Sequence, residues 1–286
     1  MDTVSFRTGS LRGVFGLAPD LAVDYEVTHR ALPAEPVVLA AKRHAHVLVI
    51  PVINEGDRIR RQLARIAACS PQADIVIADG GSTDGSLEHD FLSQAGVRAL
   101  LTEKGPGKLS GQLRRAYGWC LEEGYDGIVT MDGNDKDGVE AIDAFVAKLE
   151  QGYDYVQGSR YLRGGQASNT PLDRALAGRL IHAPLLSLAS RRWYTDTTNG
   201  FRAYSSGYLR DARVQPLREL FHTYSLLFYL TVRAEQLGLR TCEIPVSRAY
   251  PVGERTPTKI SGMRHRMAML VELLDVVRGR YDPPCA

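Results

Sequence analysis

The chain has 286 residues, 44% hydrophobic and 24% charged, with a formal net charge of +2. These are the proportions of an ordinary soluble globular protein long enough to bury a large core, and so small a net charge argues against nucleic acid as the main partner. No apolar run approaches the ~20 residues of a membrane span.

The amino terminus lacks the charged start and apolar stretch of a signal peptide. Four scattered cysteines (Cys69, Cys120, Cys242, Cys285) read as free thiols in a reducing cytosol. The Arg58–Arg65 and Arg264–Arg266 clusters read as wet helix faces.

In chain order, residues 1–43 show weak periodicity broken by Pro19, Pro33 and Pro36. They are expected to form an N-terminal extension that wraps the main domain. From His46 the pattern becomes regular. Val47–Ile50 is a predicted strand ended by Pro51, and Ile59, Leu63 and Ile66 mark one face of the following helix. Ile75–Ala78 and Val97–Leu101 are the next strands.

A Gly-rich loop, Gly105-Pro106-Gly107-Lys108, leads into a helical stripe of Leu109, Leu113, Ala116, Tyr117 and Cys120. Ile128–Met131 is a fourth strand, Val139, Ile142, Phe145, Val146 and Leu149 form another helical face, and a fifth strand begins at Tyr155-Val156-Gln157. Alternation every 25 residues or so implies crossover units and a mainly parallel sheet.

Beyond residue 160 the pattern loosens. Helical segments at Arg174–Ser190 and Tyr224–Leu237 flank Thr195–Arg202, a short strand is expected at Cys242–Val246, and Met263, Met267, Leu270, Leu274 and Val277 make a last apolar stripe. That stripe suits core packing better than membrane binding. The fold class is therefore α/β, a mainly parallel central sheet flanked by helices.

Three polar loops directly follow predicted strands: Pro51-Val52-Ile53-Asn54-Glu55, Asp79-Gly80-Gly81-Ser82-Thr83-Asp84-Gly85 and Asp132–Asp137. In a parallel sheet these strand ends share one edge, where ligands bind. Any one loop could be a plain solvated turn, but three in register favour a nucleotide pocket. Gly80 and its neighbours allow close backbone approach, Asp79 can accept from a base or ribose, and the oxygens of the third loop suit a hard cation that also holds phosphate. Neither a Gly-x-Gly-x-x-Gly fingerprint nor a Walker-type phosphate loop is found.

These segments, with Gly107-Lys108, Gly158-Ser159-Arg160 and Thr198-Asn199-Gly200-Phe201-Arg202-Ala203-Tyr204, resemble in order the motifs of family 2 glycosyltransferases. The subgroup they look most like is the dolichyl-phosphate mannose synthase type, and the resemblance covers about residues 46–275. It implies a GT-A fold over residues 44–286, with a nucleotide-binding part at 44–160 and an acceptor part at 161–286. It also implies a nucleotide-diphosphate sugar donor, a divalent cation (Mg²⁺ or Mn²⁺) and inversion at the anomeric carbon.

By the same resemblance Pro51, Asn54, Glu55, Asp79 and Gly80 would hold the nucleoside, and Lys108 would touch the donor. Asp132, with Gly133 and Asn134, would sit at the ribose, diphosphate and metal. Arg202, with Asn199 beside it, would face the acceptor.

Two departures matter. The Asp-x-Asp metal motif is here Asp132-Gly133-Asn134, and the Gln that often follows it in this subgroup lines up with Lys136. Asn134 can still ligate through its carbonyl, with Asp135 or Asp137 supplying charge, or Lys136 could neutralise the diphosphate itself. The Glu-Asp pair and Gln-x-x-Arg-Trp that serve hydroxyl acceptors are absent from the expected region. A phosphate acceptor needs a positioning cation rather than a base; Arg202, Arg160 and Lys259 are candidates.

The leading expectation is transfer to a phosphate-bearing acceptor such as a polyprenyl phosphate, by a cytoplasmic enzyme peripheral at the inner membrane face. Its rivals are a soluble transferase acting on a small-molecule hydroxyl, with Asp196 as base, a sugar nucleotidyltransferase, and a non-catalytic nucleotide-sugar binder. Pro257–Ser261 could be a loop closing over the donor or a linker. His182, His222 and His265 read as structural, and a homodimer is expected only because dimers are common.

Overall fold

Along the strand His46–Val52 (β2), Val47 and Val49 pack into one hydrophobic cluster and Leu48, Ile50 and Val52 into another. Alternating side chains leave opposite faces of a strand, so a strand apolar at both parities must be covered on both sides. The computed structural model describes residues 34–251 and 263–284, with side chains from 266 onward in the second stretch. It contains one eight-stranded sheet between two helical layers.

The remaining strands of that sheet are β1 (Val37–Val38), β3 (Asp74–Asp79), β4 (Val97–Thr102), β5 (Gly127–Thr130), β6 (Tyr155–Ser159), β8 (Arg202–Ser205) and β9 (Thr241–Pro245). Their spatial order is β1-β4-β3-β2-β5-β8-β6-β9. Strands β2 to β6 and β9 run parallel, and β1 and β8 run against them. A small parallel pair joins β7 (Gln166–Ser168) to β10 (Ser247–Ala249).

The helices α1 (Asp57–Cys69), α2 (His89–Gln94) and α4 (Ile142–Glu150) cover one face, burying Ile59, Leu63, Ile66, Leu92, Phe145 and Val146. The other face packs against α3 (Lys108–Glu122), α6 (Ala183–Ser190), α8 (Ser225–Gln236) and α9 (Met263–Val277). Each fully buried Leu, Ile or Val contributes roughly 1.5–3 kcal/mol. Two short helices, α5 (Leu172–Ala177) and α7 (Ser206–Arg210), complete the set, and a π-helical turn at Gly178–His182 joins α5 to α6.

Two expectations are corrected. Pro51 does not end β2, which runs on through Val52 with Pro51 opposite Ala78. A proline costs a central strand one ladder bond, but Val49 carbonyl already bonds Met131 on the β5 side, and Pro51, two residues on, points the same way past the end of β5 at Thr130. The second half also inserts a strand that periodicity did not reveal. Strand β8 wedges antiparallel between β5 and β6, bringing Arg202 opposite Thr130.

Residues 1–33, Pro257–Ser261 and Lys259, the side chain of His265, and Cys285 lie outside the described residues, so the extension and the loop reading receive no test. The three described cysteines are unpaired. Among the described residues no helix is long and apolar enough to cross a membrane.

Candidate active site

The parallel strands end on one edge, and the polar loops after β2, β3 and β5 gather there, as strand order requires. The first two loops are stitched together. Asn54, at φ 50°, accepts from the Thr83 amide at 2.8 Å and donates its own amide to Ser82 Oγ at 3.0 Å, and the Gly56 amide donates to Asp84 at 2.8 Å. Asp79 is buried, with Oδ1 accepting from the Ser82 amide at 2.8 Å and Oδ2 only weakly engaged by Thr102 at 3.3 Å. Glu55 is ion-paired with Arg58 at 2.9 Å. Lys108 opens α3 as an exposed residue.

The third loop is clamped from α1. The buried Gln62 donates to the Asp132 carbonyl at 2.9 Å and accepts from the Asp135 amide at 2.7 Å. Two glycines let the chain pass where Asp132 sits. A Cβ at position 133 would lie 2.8 Å from Val52 Cγ2 and 2.9 Å from the Pro51 carbonyl, and one at position 200 would lie 2.5 Å from Asp132 Oδ1. The Thr-Asn-Gly-Phe-Arg segment thus packs directly on Asp132, and only glycine permits that approach.

Cations also gather around Asp132. Arg248 of β10 donates to Asp132 Oδ2 at 2.9 Å and to Asp137 Oδ2 at 2.6 Å, and Asp137 is wholly buried. Burial opposes the Arg248 charge, but Asp137 and Asp132 outweigh it and raise its pKa. The Lys136 ammonium lies 4.9 Å over the Tyr250 ring, and Arg174 and Arg248 each lie 5.8 Å from the same ring. Burial would raise the Tyr250 phenol, yet Arg248, Arg174 and Arg160 pull it below its ordinary value. The downward direction follows from the cations clustered around the ring. Half-buried Tyr224, at the start of α8, feels both Asp132 and Arg174; burial is the main reason its pKa rises to about 12.

The geometry gives three of the expected site residues other partners. The Arg202 guanidinium is turned to the protein interior. It is about 1% exposed and donates to the carbonyls of Asn199 (2.9 Å), Leu227 (2.7 Å) and Thr197 (2.7 Å) and to Thr231 Oγ1 (3.0 Å). Asp196 cannot serve as a free base, since both its oxygens are bonded to the Arg160 guanidinium, at 2.7 and 2.8 Å, and it is buried. Asp135 is not turned toward Asp132. Its carboxylate is shared by Arg61 and Arg65 of α1 at 3.2 and 2.9 Å.

The oxygens left for a divalent cation are the partly exposed Asp132 carboxylate and two buried acceptors without a hydrogen-bond partner, Asn134 Oδ1 and Asp137 Oδ1. Orphaned oxygens beside a carboxylate fit a hard cation, though Arg248 already offsets the charge of both Asp132 and Asp137. Among the described residues no group of three or more His, Cys, Asp or Glu could hold a metal.

The sequence reading did not point to Arg248, Tyr250, Arg174 or Gln62. The only hint was the i, i+2 spacing of Arg248 and Tyr250 after a predicted strand, which puts them on one face. Nothing in the sequence pairs Arg248 with a loop 111 residues earlier.

A family model described as glycosyl transferase family 2 matches residues 47–213, more than half of the chain. The chain belongs to glycosyltransferase family 2. Among curated relatives, this glycosyltransferase is 29% identical over 220 residues to the undecaprenyl-phosphate mannosyltransferase of Micrococcus luteus, covering 75% of this chain and 86% of the other. It is 25% identical over 239 residues to the polyprenol monophosphomannose synthase of Mycolicibacterium smegmatis, covering 82% and 88%.

Among solved structures, glucosyl-3-phosphoglycerate synthase from Mycobacterium tuberculosis with uridine-diphosphate superposes with a TM-score of 0.58 at 18% identity, covering 82% of this chain and 80% of that one. The same synthase was also solved with Mn²⁺, uridine-diphosphate and glucosyl-3-phosphoglycerate. At that identity the likeness establishes the shared GT-A fold. Neither the relatives nor the structure supports the expected homodimer.

Proposed function

We propose that this enzyme transfers a sugar from a nucleoside-diphosphate donor to a polyprenyl phosphate at a membrane surface, with inversion at the anomeric carbon. The observation that carries the reading is an apolar stripe beside the cationic pocket. Leu172, Leu176 and Leu180 recur at four-residue spacing and are exposed, as are Leu188 and Trp193 further on, and the exposed Arg163, Arg179 and Arg191 flank them. Arg174, between Leu172 and Leu176, reaches back to the Tyr250 ring. An apolar face next to a cationic pocket suits a lipid whose polar end is a phosphate, and arginines flanking it suit an anionic bilayer. The names of the two curated relatives support the same acceptor class.

In this reading Arg174 holds the acceptor phosphate, and Asp132 faces the donor diphosphate. A phosphate oxygen is already anionic, so no side chain need remove a proton, which agrees with Asp196 being committed to Arg160. The acceptor oxygen bonds the anomeric carbon from the face opposite the leaving group, and the nucleoside diphosphate departs with the electron pair. Were a divalent cation bound, Asp132 and Asn134 Oδ1 would hold it and it would offset charge on that leaving group.

The test is an assay of the purified protein with a panel of nucleotide sugars and vesicle-embedded polyprenyl phosphate. Lipid-linked sugar with nucleoside diphosphate release is expected. Release of pyrophosphate, or transfer only to water-soluble acceptors, overturns the reading.

A further inference from the structure

Lys136 holds a place its surroundings do not explain. It is about 7% exposed, two residues beyond Asn134, and among the described residues no carboxylate forms a salt bridge with it. Its electrostatic neighbours are Arg248, Tyr250, Asp132 and Arg174. Arg160 contributes to the same pocket through Tyr250, though its own guanidinium is taken by Asp196.

Lys136 shares this cluster with three further cations, Arg160, Arg174 and Arg248, while Asp132 and Asp137 are paired with Arg248 and Asp196 with Arg160. A buried ammonium without a counter-ion is costly, and more so beside other cations. Such a pocket is stabilised by an incoming anion. Conversely, Asp132 is already ion-paired with Arg248, and the position that could carry a second carboxylate is the neutral Asn134. The attraction for a divalent cation is correspondingly weak, since affinity at oxygen sites grows with ligand charge.

We propose that Lys136, backed by Arg248, is the resident counter-charge for the donor's diphosphate, so that this enzyme binds and uses its donor without a divalent cation. The proposal deepens the glycosyl-transfer reading and rests on it. The shared chemistry is a phosphate anion, and the assignment to the leaving diphosphate rather than the acceptor phosphate follows from Lys136 lying on the Asp132 loop, clamped to α1 by Gln62. A lysine can offset phosphate charge as a point charge, without the ligand geometry a metal requires.

Calorimetric titration of uridine and guanosine diphosphates into the full-length protein, in EDTA and in Mn²⁺, tests it. The expected result is that whichever diphosphate binds does so in EDTA within about tenfold of its affinity in Mn²⁺. Lys136→Gln should weaken the EDTA binding by more than about tenfold and make it recover with Mn²⁺, whereas Lys136→Arg should retain it.

Binding by the unaltered protein that requires Mn²⁺ would overturn the proposal while leaving glycosyl transfer standing, and this arm needs no variant to fold. No binding in either condition would overturn both. A Lys136→Gln variant that keeps diphosphate affinity but loses a short isoprenyl monophosphate would move Lys136 to the acceptor and overturn the assignment.

Discussion

Arg202 of β8 and Arg248 of β10 are both buried, but their donors go to different kinds of partner. Arg202 is bonded to backbone carbonyls of Thr197, Asn199 and Leu227, so it ties the Thr-Asn-Gly-Phe-Arg segment to α8. Arg248 is divided between the buried Asp137 and the partly exposed Asp132, on a loop at the sheet edge where ligands bind. A buried guanidinium satisfied by carbonyls completes the fold, whereas one shared between carboxylates of a ligand-facing loop tunes a site. In the proposed reading, that difference makes the arginine within the more recognisable motif structural and puts the one outside it beside the donor.

Variants can break that comparison. The largest effect is expected at Asp132. Asp132→Ala should lower transfer by about a thousandfold or more, with thermal unfolding little changed. Full residual activity would remove Asp132 from the site.

Next comes Arg202→Ala, which strands several buried carbonyls and should cost about 3–5 kcal/mol in urea unfolding. Lost activity at unchanged stability would instead return Arg202 to the ligand. A smaller effect is expected on the exposed stripe. Leu176→Asp or Leu180→Asp should change stability by under about 0.5 kcal/mol, yet slow transfer to vesicle-embedded acceptor by roughly tenfold. Equal rates with vesicle-embedded and detergent-dispersed lipid would contradict a membrane-docking face.

The smallest effect is on pH dependence. His182 is buried, and burial lowers its pKa from 6.5. Below about pH 6.5 the unfolded chain binds a proton that the folded chain resists, so stability is full above that pH and falls as pH drops toward the lowered value, by up to about 1.4 kcal/mol per pH unit. His46 acts in the same direction, again chiefly through burial. Half-buried Glu243 and Glu272, whose pKa values desolvation raises, act oppositely at lower pH. Comparing unfolding of His182→Leu with the parent between pH 7 and 5 isolates the term, and the variant should show the flatter profile. Parallel profiles would remove His182 as a source of acid sensitivity.

The nucleotide half was legible because parallel strands buried on both faces write themselves as continuous apolar runs, and because Asn54, Asp79 and Asp132 follow such runs directly. Strand β8 was not legible. Only Arg202–Ser205 form it, and its place between β5 and β6 depends on long-range pairing. The same non-locality hid the cationic pocket. Arg174, Lys136 and Arg248 lie on three separate segments, and neither periodicity nor spacing links them. The residue types at Asp196 and Arg202 suggested chemistry, but internal bonds satisfy both, and that satisfaction is visible only in three dimensions.

The most direct test is a crystal structure of the protein with a nucleoside-diphosphate sugar. The account predicts the base against the Asp79 loop and the diphosphate within contact of Asp132 and Lys136. A diphosphate bound away from Asp132, or nested against Arg202 with its carbonyl bonds broken, would contradict it.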